Sequence, residues 1–418
     1  MAALVGQDAS LVTSATRPSR GGALKYLVLI IDGASGWPTP ALDGRTSLEA
    51  AHIPNLDRLA REGTIGLSHT VPLGMEASSA VACMSVMGFD PTLYYAGRGP
   101  IEAMAMGVDL EPGQVAMRCN LVTVQDGLMR SYASGHIRSE EAHELVEALQ
   151  AQLGDQRLGF HSGVGFRHIL TVRDGADLLE TEFTPPHDIT GRPVAAELPR
   201  GKGAALARSL MDASETILAD HPVNRARVAR GELPATQIWL FWPGLRPGGM
   251  PSFSELYGLP AAMSSGVDLL RGLAKQSGVD FLEVPGVTDG SDNDYAAQMG
   301  GCLEALSSHD VVFAHVEAPD EASHAGDAAA KVRAIEDVDA LMVPQVIARE
   351  DLCLLAMPDH PTPLPVMTHV AEPVPFLLWG PGFGPNGADA YSEADASGTG
   401  LVVAPGHLLM RHLLGGSC

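Results

Sequence analysis

YLVLII (Tyr26–Ile31) runs straight into Asp32-Gly33. Six aliphatic and aromatic residues in succession show no alternation of polar and apolar positions, so a strand made of them is buried on both faces. Such strands belong to parallel sheets covered by helices on both sides. Runs of the same kind return towards the C-terminus: Val311–Val316 precedes Asp320, Leu352–Met357 precedes Asp359-His360, and Phe376–Trp379 ends at Gly380. Helical periodicity lies between them, at Ala328–Ala348 and around Tyr295–Ser307. Strands alternating with helices predict an α/β fold, a mostly parallel sheet flanked by helices. Working residues of such sheets collect at the carboxyl ends of the strands. Asp32, Asp320, Asp359 and His360 all stand there.

The middle of the chain reads differently. Residues 106–255 carry most of the dispersed arginines, a helix at Ser139–Leu153, a loop at Thr184–Asp188 and a strand at Gln237–Trp242. The stretch WPGLRPGGMP (Trp242–Pro251) reads as a linker or hinge. The expected architecture is discontinuous: residues 24–105 and 256–418 form one domain, and 106–255 form an α+β domain inserted into it. A length of 418 residues agrees with two domains.

Charge narrows the partners. Asp and Glu number 50 against 27 Lys and Arg, a net charge of −23. So acidic a chain repels nucleic-acid backbones and anionic membranes, which excludes both as expected partners. Local arginines must then recruit any anionic substrate. Five scattered cysteines without a CxxC pair argue against a disulfide framework or a thiolate zinc site and suit a reducing compartment. No apolar run reaches the roughly 18 residues that a membrane-spanning helix needs. Residues 1–23 are rich in Ser, Thr, Ala and Gly, with no apolar core before a cleavage site. They are expected to be a disordered tail, and the chain is expected in the cytoplasm.

The densest chemical signal is C-terminal. In HVEAPDEASH (His315–His324), Asp320 and His324 are four apart and share a helix face. In MPDHPTPLPVMTH (Met357–His369), Asp359 and His360 are adjacent at a strand end and His369 follows. Taken singly, an Asp after a strand also caps helices, and Asp-His-Pro also makes a turn. Taken together with Asp32, they supply three carboxylates and three imidazoles. Such donors suit Mn²⁺ or Zn²⁺, with Mg²⁺ as the harder alternative. Six ligands exceed the need of one tetrahedral zinc and suit two divalent ions, roughly 3.5–4 Å apart, clamping a phosphoryl group. A nucleophile is available in GMEASSAVACMSVMGFDP (Gly74–Pro91), where Ser78, Ser79 and Ser85 lie at or near the start of a helical pattern. A serine there gains from the free N–H groups of the first turn, although it also serves as a helix cap.

Ordered blocks along nearly the whole chain carry a family resemblance. They include IIDG (Ile30–Gly33), SLEAAHIPNLDRLAREG (Ser47–Gly63), MSVMGFDPTLYYAGRGPIEAMAMGV (Met84–Val108), VAMRCNLVTV (Val115–Val124) and SGHIRSEEA (Ser134–Ala142). FRHIL (Phe166–Leu170), PHDITG (Pro186–Gly191), HPVNRAR (His221–Arg227), SDNDY (Ser291–Tyr295), VEAPDEASHAGD (Val316–Asp327) and PDHPTP (Pro358–Pro363) continue the series. The sequence resembles the archaeal-type 2,3-bisphosphoglycerate-independent phosphoglycerate mutases of the alkaline phosphatase superfamily. That resemblance implies an alkaline-phosphatase-like α/β fold and two divalent metal ions. Asp32, Ser79, Asp359 and His360 would hold one ion, and Asp320, His324 and His369 the other. Ser79, twelve residues before Pro91, matches the family's nucleophile. Two positions depart from the pattern: Ala80 stands where an acidic residue is usual, and Ser78 replaces a common glycine.

The implied reaction moves the phosphoryl group of 3-phosphoglycerate to Ser79, as phosphoserine, and returns it to the other hydroxyl as 2-phosphoglycerate. Glycerate must be retained meanwhile, and the arginine-bearing insertion is the candidate clamp. Candidate substrate-binding residues are Arg98, Arg118, His136, Arg167, His187 and Arg225, with Arg246 also in the region. Arg98 in AGRGP can instead hold a glycine turn, and Arg118 and Arg227 can sit in ion pairs. Asp292 and Asp294 of SDNDY suit capping better than metal binding. The alternative activity is a metal-dependent phosphomonoesterase or phosphotransferase acting on another small phosphorylated hydroxy compound.

Overall fold

The computed structural model describes residues 24–246 and 248–415; the expected tail at residues 1–23 lies outside them. In chain order its strands are β1 (Lys25–Ile31), β2 (Thr64–Ser68), β3 (Val115–Gln125), β4 (Leu128–Ser131), β5 (Leu158–His161), β6 (Arg167–Val172), β7 (Thr181–Glu182), β8 (Arg200–Gly201), β9 (Gln237–Leu245), β10 (Ala261–Ser264), β11 (Asp280–Phe281), β12 (Val311–Val316), β13 (Leu352–Met357), β14 (Val374–Trp379) and β15 (Val402–Val403).

Eight of them form one sheet in the order β11-β10-β12-β1-β13-β14-β2-β15. β1 is interior, parallel to β12 on one side and β13 on the other. Leu27, Leu29 and Ile31 enter one apolar cluster, and Val28 and Ile30 enter the cluster on the opposite face. The unbroken apolar run is therefore used two-sidedly. Register does the aligning. Ile31 pairs with Val316 and Ile30 with Met357, so Asp32, Glu317 and Asp359 leave the same sheet edge side by side.

β3, β4, β5, β6 and β9 form a second, antiparallel sheet. It has its own core, to which the Ser139–Leu153 helix contributes Leu145 and Leu149. The Arg98–Ala105 helix packs on both bodies, against β3 and β9 and against the Asp268–Gln276 helix.

Three details differ from the sequence reading. The Phe376–Trp379 run lies in β14, which is antiparallel to both neighbours; an apolar run carries no mark of direction. The first residues of the expected linker, Trp242–Leu245, complete β9, because a bulge accommodates Pro243 within the strand. The Ala328–Ala348 helix is interrupted by a π turn at Val338–Met342 before Val343–Ile347, where Pro344 cannot donate to the helical ladder. Cys83, Cys119, Cys302 and Cys353 are buried and free. Among the described residues no helix is long and apolar enough to cross a membrane.

Candidate active site

The carboxyl edge of the large sheet brings all seven expected ligands into one cluster. His324 Nε2 stands 3.1 Å from Asp320 Oδ2, one helical turn away. His369 Nε2 reaches the same oxygen at 3.4 Å and lies 2.8 Å from His324 Nε2. Both outer nitrogens are held by backbone: His324 Nδ1 by the Met367 carbonyl at 3.0 Å and His369 Nδ1 by the Ala77 carbonyl at 3.2 Å. Met367 has left-handed backbone, φ 52°. An imidazole that donates from Nδ1 keeps a bare lone pair on Nε2 when neutral. Two such lone pairs and a carboxylate oxygen converge on one point and repel unless a cation or a proton lies among them.

A second convergence adjoins the first. His360 Nε2 is 3.3 Å from Asp359 Oδ2 and 3.7 Å from Asp32 Oδ1. Its Nδ1 is 3.2 Å from the Thr362 hydroxyl, which donates to Asp320 Oδ1 at 2.5 Å. Asp359 Oδ1 accepts the N–H groups of His360 and Gly33 at 2.8 and 3.3 Å. Asp32 Oδ1 is buried with no hydrogen-bond partner among the described residues. An orphaned carboxylate oxygen beside an inward-facing imidazole nitrogen fits a divalent cation. The Cys83 thiol also lies here, 3.5 Å from Asp359 Oδ2. Burial pushes its pKa up, and Asp359 beside it acts in the same sense.

Electrostatics agrees with the geometry. Burial lifts Asp32, with Asp359 and Glu317 adding to it, and burial lifts Glu317 to about 8. At Asp320 burial acts in the same sense, but the bonds from His324 and His369 outweigh it and hold the carboxyl well below its usual range. Its bond to Asp320 pushes His324 up to about 9.

Ser79 opens the Ser79–Val86 helix, with Ser78 at the cap. Its Oγ is 3.2 Å from His360 Nε2. Ser85 is instead buried and donates to the Thr70 carbonyl at 2.5 Å. Ala80 is buried in the apolar cluster that holds Cys83 and Met84. The Tyr95 hydroxyl donates to Glu76, beside Ser78 and in the field of Arg98.

The expected substrate residues divide. Arg98 Nε bonds Glu102 Oε1 at 2.7 Å, and the buried Arg118 bonds the other oxygen of the same carboxylate. Burial raises Glu102, but the two guanidinium charges outweigh it and keep it ionised. Arg118 also donates to Asn120 Oδ1 at 3.0 Å. Arg167 is exposed beside Phe166, and among the described residues its guanidinium has no ion pair or hydrogen bond; its charge reaches Arg118. His187 sits among Tyr132, Phe241 and Trp242. Burial lowers its pKa, and Arg98 and Arg118 act in the same direction against Asp188. Arg98, Arg118, Arg167 and His187 thus form one cationic, aromatic-lined group. Arg225 is outside it: the exposed guanidinium donates to the Asp220 carbonyl. His136 is exposed in the left-handed turn Ser134–Gly135–His136, and Arg246 is exposed. Arg227 is buried in an ion pair with Glu141 at 2.5 Å. Asp294 caps the Tyr295–Ala305 helix and Asp292 accepts from Thr288.

Several residues of the site escaped the sequence reading. His315, inside β12, bonds Asp32 Oδ2 at 2.9 Å and Ser265 Oγ at 3.0 Å. With Asp32 and Glu317 it forms a further group of close ligand-type atoms. A histidine within a wholly apolar strand was the available signal, since a buried imidazole must find partners. Lys331 is wholly buried, donating to the carbonyls of Ser35 and Thr362 at 3.2 and 2.9 Å. It ties together the loops that follow β1 and β13.

Fold and site define a class: α/β proteins whose mostly parallel sheet presents a carboxylate–imidazole cluster, suited to divalent cations, beside a serine hydroxyl. The chain is 45% identical over 398 residues, 94% of itself and 100% of the relative, to the 2,3-bisphosphoglycerate-independent phosphoglycerate mutase of Methanothrix thermoacetophila. It belongs to the 2,3-bisphosphoglycerate-independent phosphoglycerate mutase family. A probable mutase of that name from Geobacter sulfurreducens is 43% identical, with 94% of this chain and 100% of that one covered. The family model of the same description matches residues 60–224. Among solved structures, the cofactor-independent phosphoglycerate mutase of Thermoplasma acidophilum is similar at 28% identity and a TM-score of 0.66, over 94% of this chain and 99% of that one. A protein of Pyrococcus horikoshii is similar at 26% identity and a TM-score of 0.80, over 94% and 97%.

Proposed function

We propose that this chain interconverts 3-phosphoglycerate and 2-phosphoglycerate, with the phosphoryl group held in between on Ser79. The observation that carries this reading is the 3.2 Å approach of Ser79 Oγ to His360 Nε2 at the heart of the carboxylate–imidazole cluster. Asp320, His324 and His369 are the donors for one divalent cation, and Asp32, Asp359, His360 and Ser79 for a second. By donor type these are Mn²⁺ or Zn²⁺, with Mg²⁺ as the harder alternative. Bound there, the cations supply charge neutralisation for the transferring phosphoryl group and favour ionisation of a serine hydroxyl.

The chain's own residues do the rest. Ser79 Oγ forms a bond to phosphorus as the bond from phosphorus to the 3-oxygen breaks, the serine proton passing in net to the freed 3-oxygen, and the free N–H groups of its helix favour negative charge on Oγ. Arg98, Arg118, Arg167 and His187 bind the carboxylate and hydroxyl end of glycerate, the guanidinium fork matching carboxylate and phosphate geometry. The 2-hydroxyl oxygen then takes the phosphoryl group in a second in-line step as the bond from phosphorus to Ser79 Oγ breaks, and its proton returns in net to Ser79 Oγ. Retention of glycerate requires that residues 106–255 close over residues 24–105 and 256–418 and exclude water.

A coupled assay with 3-phosphoglycerate tests the reading. The mutase forms 2-phosphoglycerate with little free phosphate; phosphate released in excess of 2-phosphoglycerate would instead identify a phosphomonoesterase.

A further inference from the structure

Between Ala116 and Arg118 the pairing of β3 with β9 slips, so that Trp242 and Pro243 together face Met117. Trp242 takes up the extra length in a left-handed conformation, φ 50°. For a bulky aromatic residue that conformation is rare and persists only where the surroundings enforce it. The enforcing contact comes from AGRGP. A Cβ at Gly97 would meet the Pro243 carbonyl oxygen at 2.7 Å, and one at Gly99 would meet that of Trp242 at 2.6 Å. The Gly97-Arg98-Gly99 backbone therefore lies flush on the bulge, at the junction of the two sheets.

Arg98 is delivered over the indole by this packing, its guanidinium carbon 4.4 Å from the ring centroid. Its Nε is fixed by Glu102 at 2.7 Å. Its terminal nitrogens make no hydrogen bond among the described residues. An indole below and a carboxylate at the side hold the plane of the fork while leaving its far end free. Tyr95, next to the serine loop, and His187, in the cationic group, both lie within reach of this charge.

We propose that Trp242 is a positioning residue that aims the free end of Arg98 between the serine loop and the Arg118–Arg167–His187 group, where it engages the anionic end of the substrate. This rests on the reading of Arg98 as a substrate contact in the mutase reaction. An aromatic residue that merely packs would exert its effect whether or not Arg98 were present; one that works through Arg98 loses its effect without it.

The test is a double-mutant cycle on the metal-loaded enzyme, reading KM and kcat for 3-phosphoglycerate together with the melting temperature. W242L is expected to raise KM about tenfold with a smaller change in kcat, and W242F to restore most of the loss. R98A raises KM at least as far, and W242L added to R98A raises it no further. An equal KM increment in both backgrounds, or a wild-type KM in W242L, would overturn the proposal. A wild-type KM in R98A would overturn it too, by removing Arg98 from the substrate, while 2-phosphoglycerate formation by that variant would leave the mutase reading standing. Should W242L fail to fold, indole emission decides: titration with 3-phosphoglycerate shifts the wild-type emission, and W242F loses the shift. An equal shift in W242F would overturn the proposal.

Discussion

His324 Nε2 and His369 Nε2 face each other across 2.8 Å, while Nδ1 of each ring bonds a backbone carbonyl. Neutral imidazoles in that tautomer oppose their lone pairs at this distance, and Asp320 Oδ2 adds negative charge to the same point. A cation resolves the conflict, and so does a proton.

The first consequence concerns metal content. Enzyme loaded with Mn²⁺ is expected to carry two ions per chain by native mass spectrometry. His369→Ala should carry one, with turnover reduced at least about a hundredfold. Thr362→Val leaves every donor in place but removes the hydroxyl that bonds Asp320 and adjoins His360. Its Mn²⁺ affinity should fall about 10- to 100-fold. Full activity after thorough chelation would contradict the cation sites.

The second concerns pH. In the metal-free chain His324 is raised to about 9 by its bond to Asp320. A histidine raised by folding stabilises fully below its unfolded value, and the contribution disappears as pH rises through the folded one. Glu317, raised to about 8 by burial, acts the same way: folding favours its protonated form, and that stabilisation is lost as pH climbs out of the carboxylate range through 8. Lys331, lowered to about 8 by burial, opposes this only above that value. The melting temperature of the metal-free chain should therefore fall by several degrees from about pH 6 to about pH 8. The increment added by Mn²⁺ should grow over the same range, because the ion displaces protons. Scanning calorimetry with and without Mn²⁺ measures both; an increment independent of pH would count against the assignment.

The third separates the arginines. Arg167 has no ion pair or hydrogen bond to its guanidinium among the described residues, only the Phe166 ring at 5.7 Å, whereas Arg225 donates to the Asp220 carbonyl. Arg167→Ala should raise KM for 3-phosphoglycerate about tenfold or more, and Arg225→Ala should change it less than about twofold. Equal effects in steady-state kinetics would place both arginines on the substrate.

How much of this could be read beforehand follows from what each residue advertises. Asp32 and Asp359 were legible because each ends an apolar strand, and Asp320 with His324 because four residues make one helical turn. Register, which aligns Asp32 with Glu317 and Asp359, is a tertiary property; Glu317 ends an apolar strand as Asp32 does, but its approach to His315 at 3.7 Å belongs to the fold alone. Glu102 reads in sequence as an ordinary helical glutamate, because the two arginines on its carboxylate reach it only in the fold. The reversal of β14 left no trace because direction does not alter an apolar pattern. Pro243 and Gly244 suggested a hinge, and only the bulge shows how β9 contains them.

Ser79 Oγ and its neighbouring cluster bear the central claim, and rapid quenching of the Mn²⁺-loaded enzyme with 3-phosphoglycerate labelled in its phosphoryl group tests it most directly. The expected result is acid-stable label on the peptide containing Ser79, absent from Ser79→Ala, a variant that still folds and binds Mn²⁺. Label on a histidine, or 2-phosphoglycerate formed by Ser79→Ala at the wild-type rate, would contradict it.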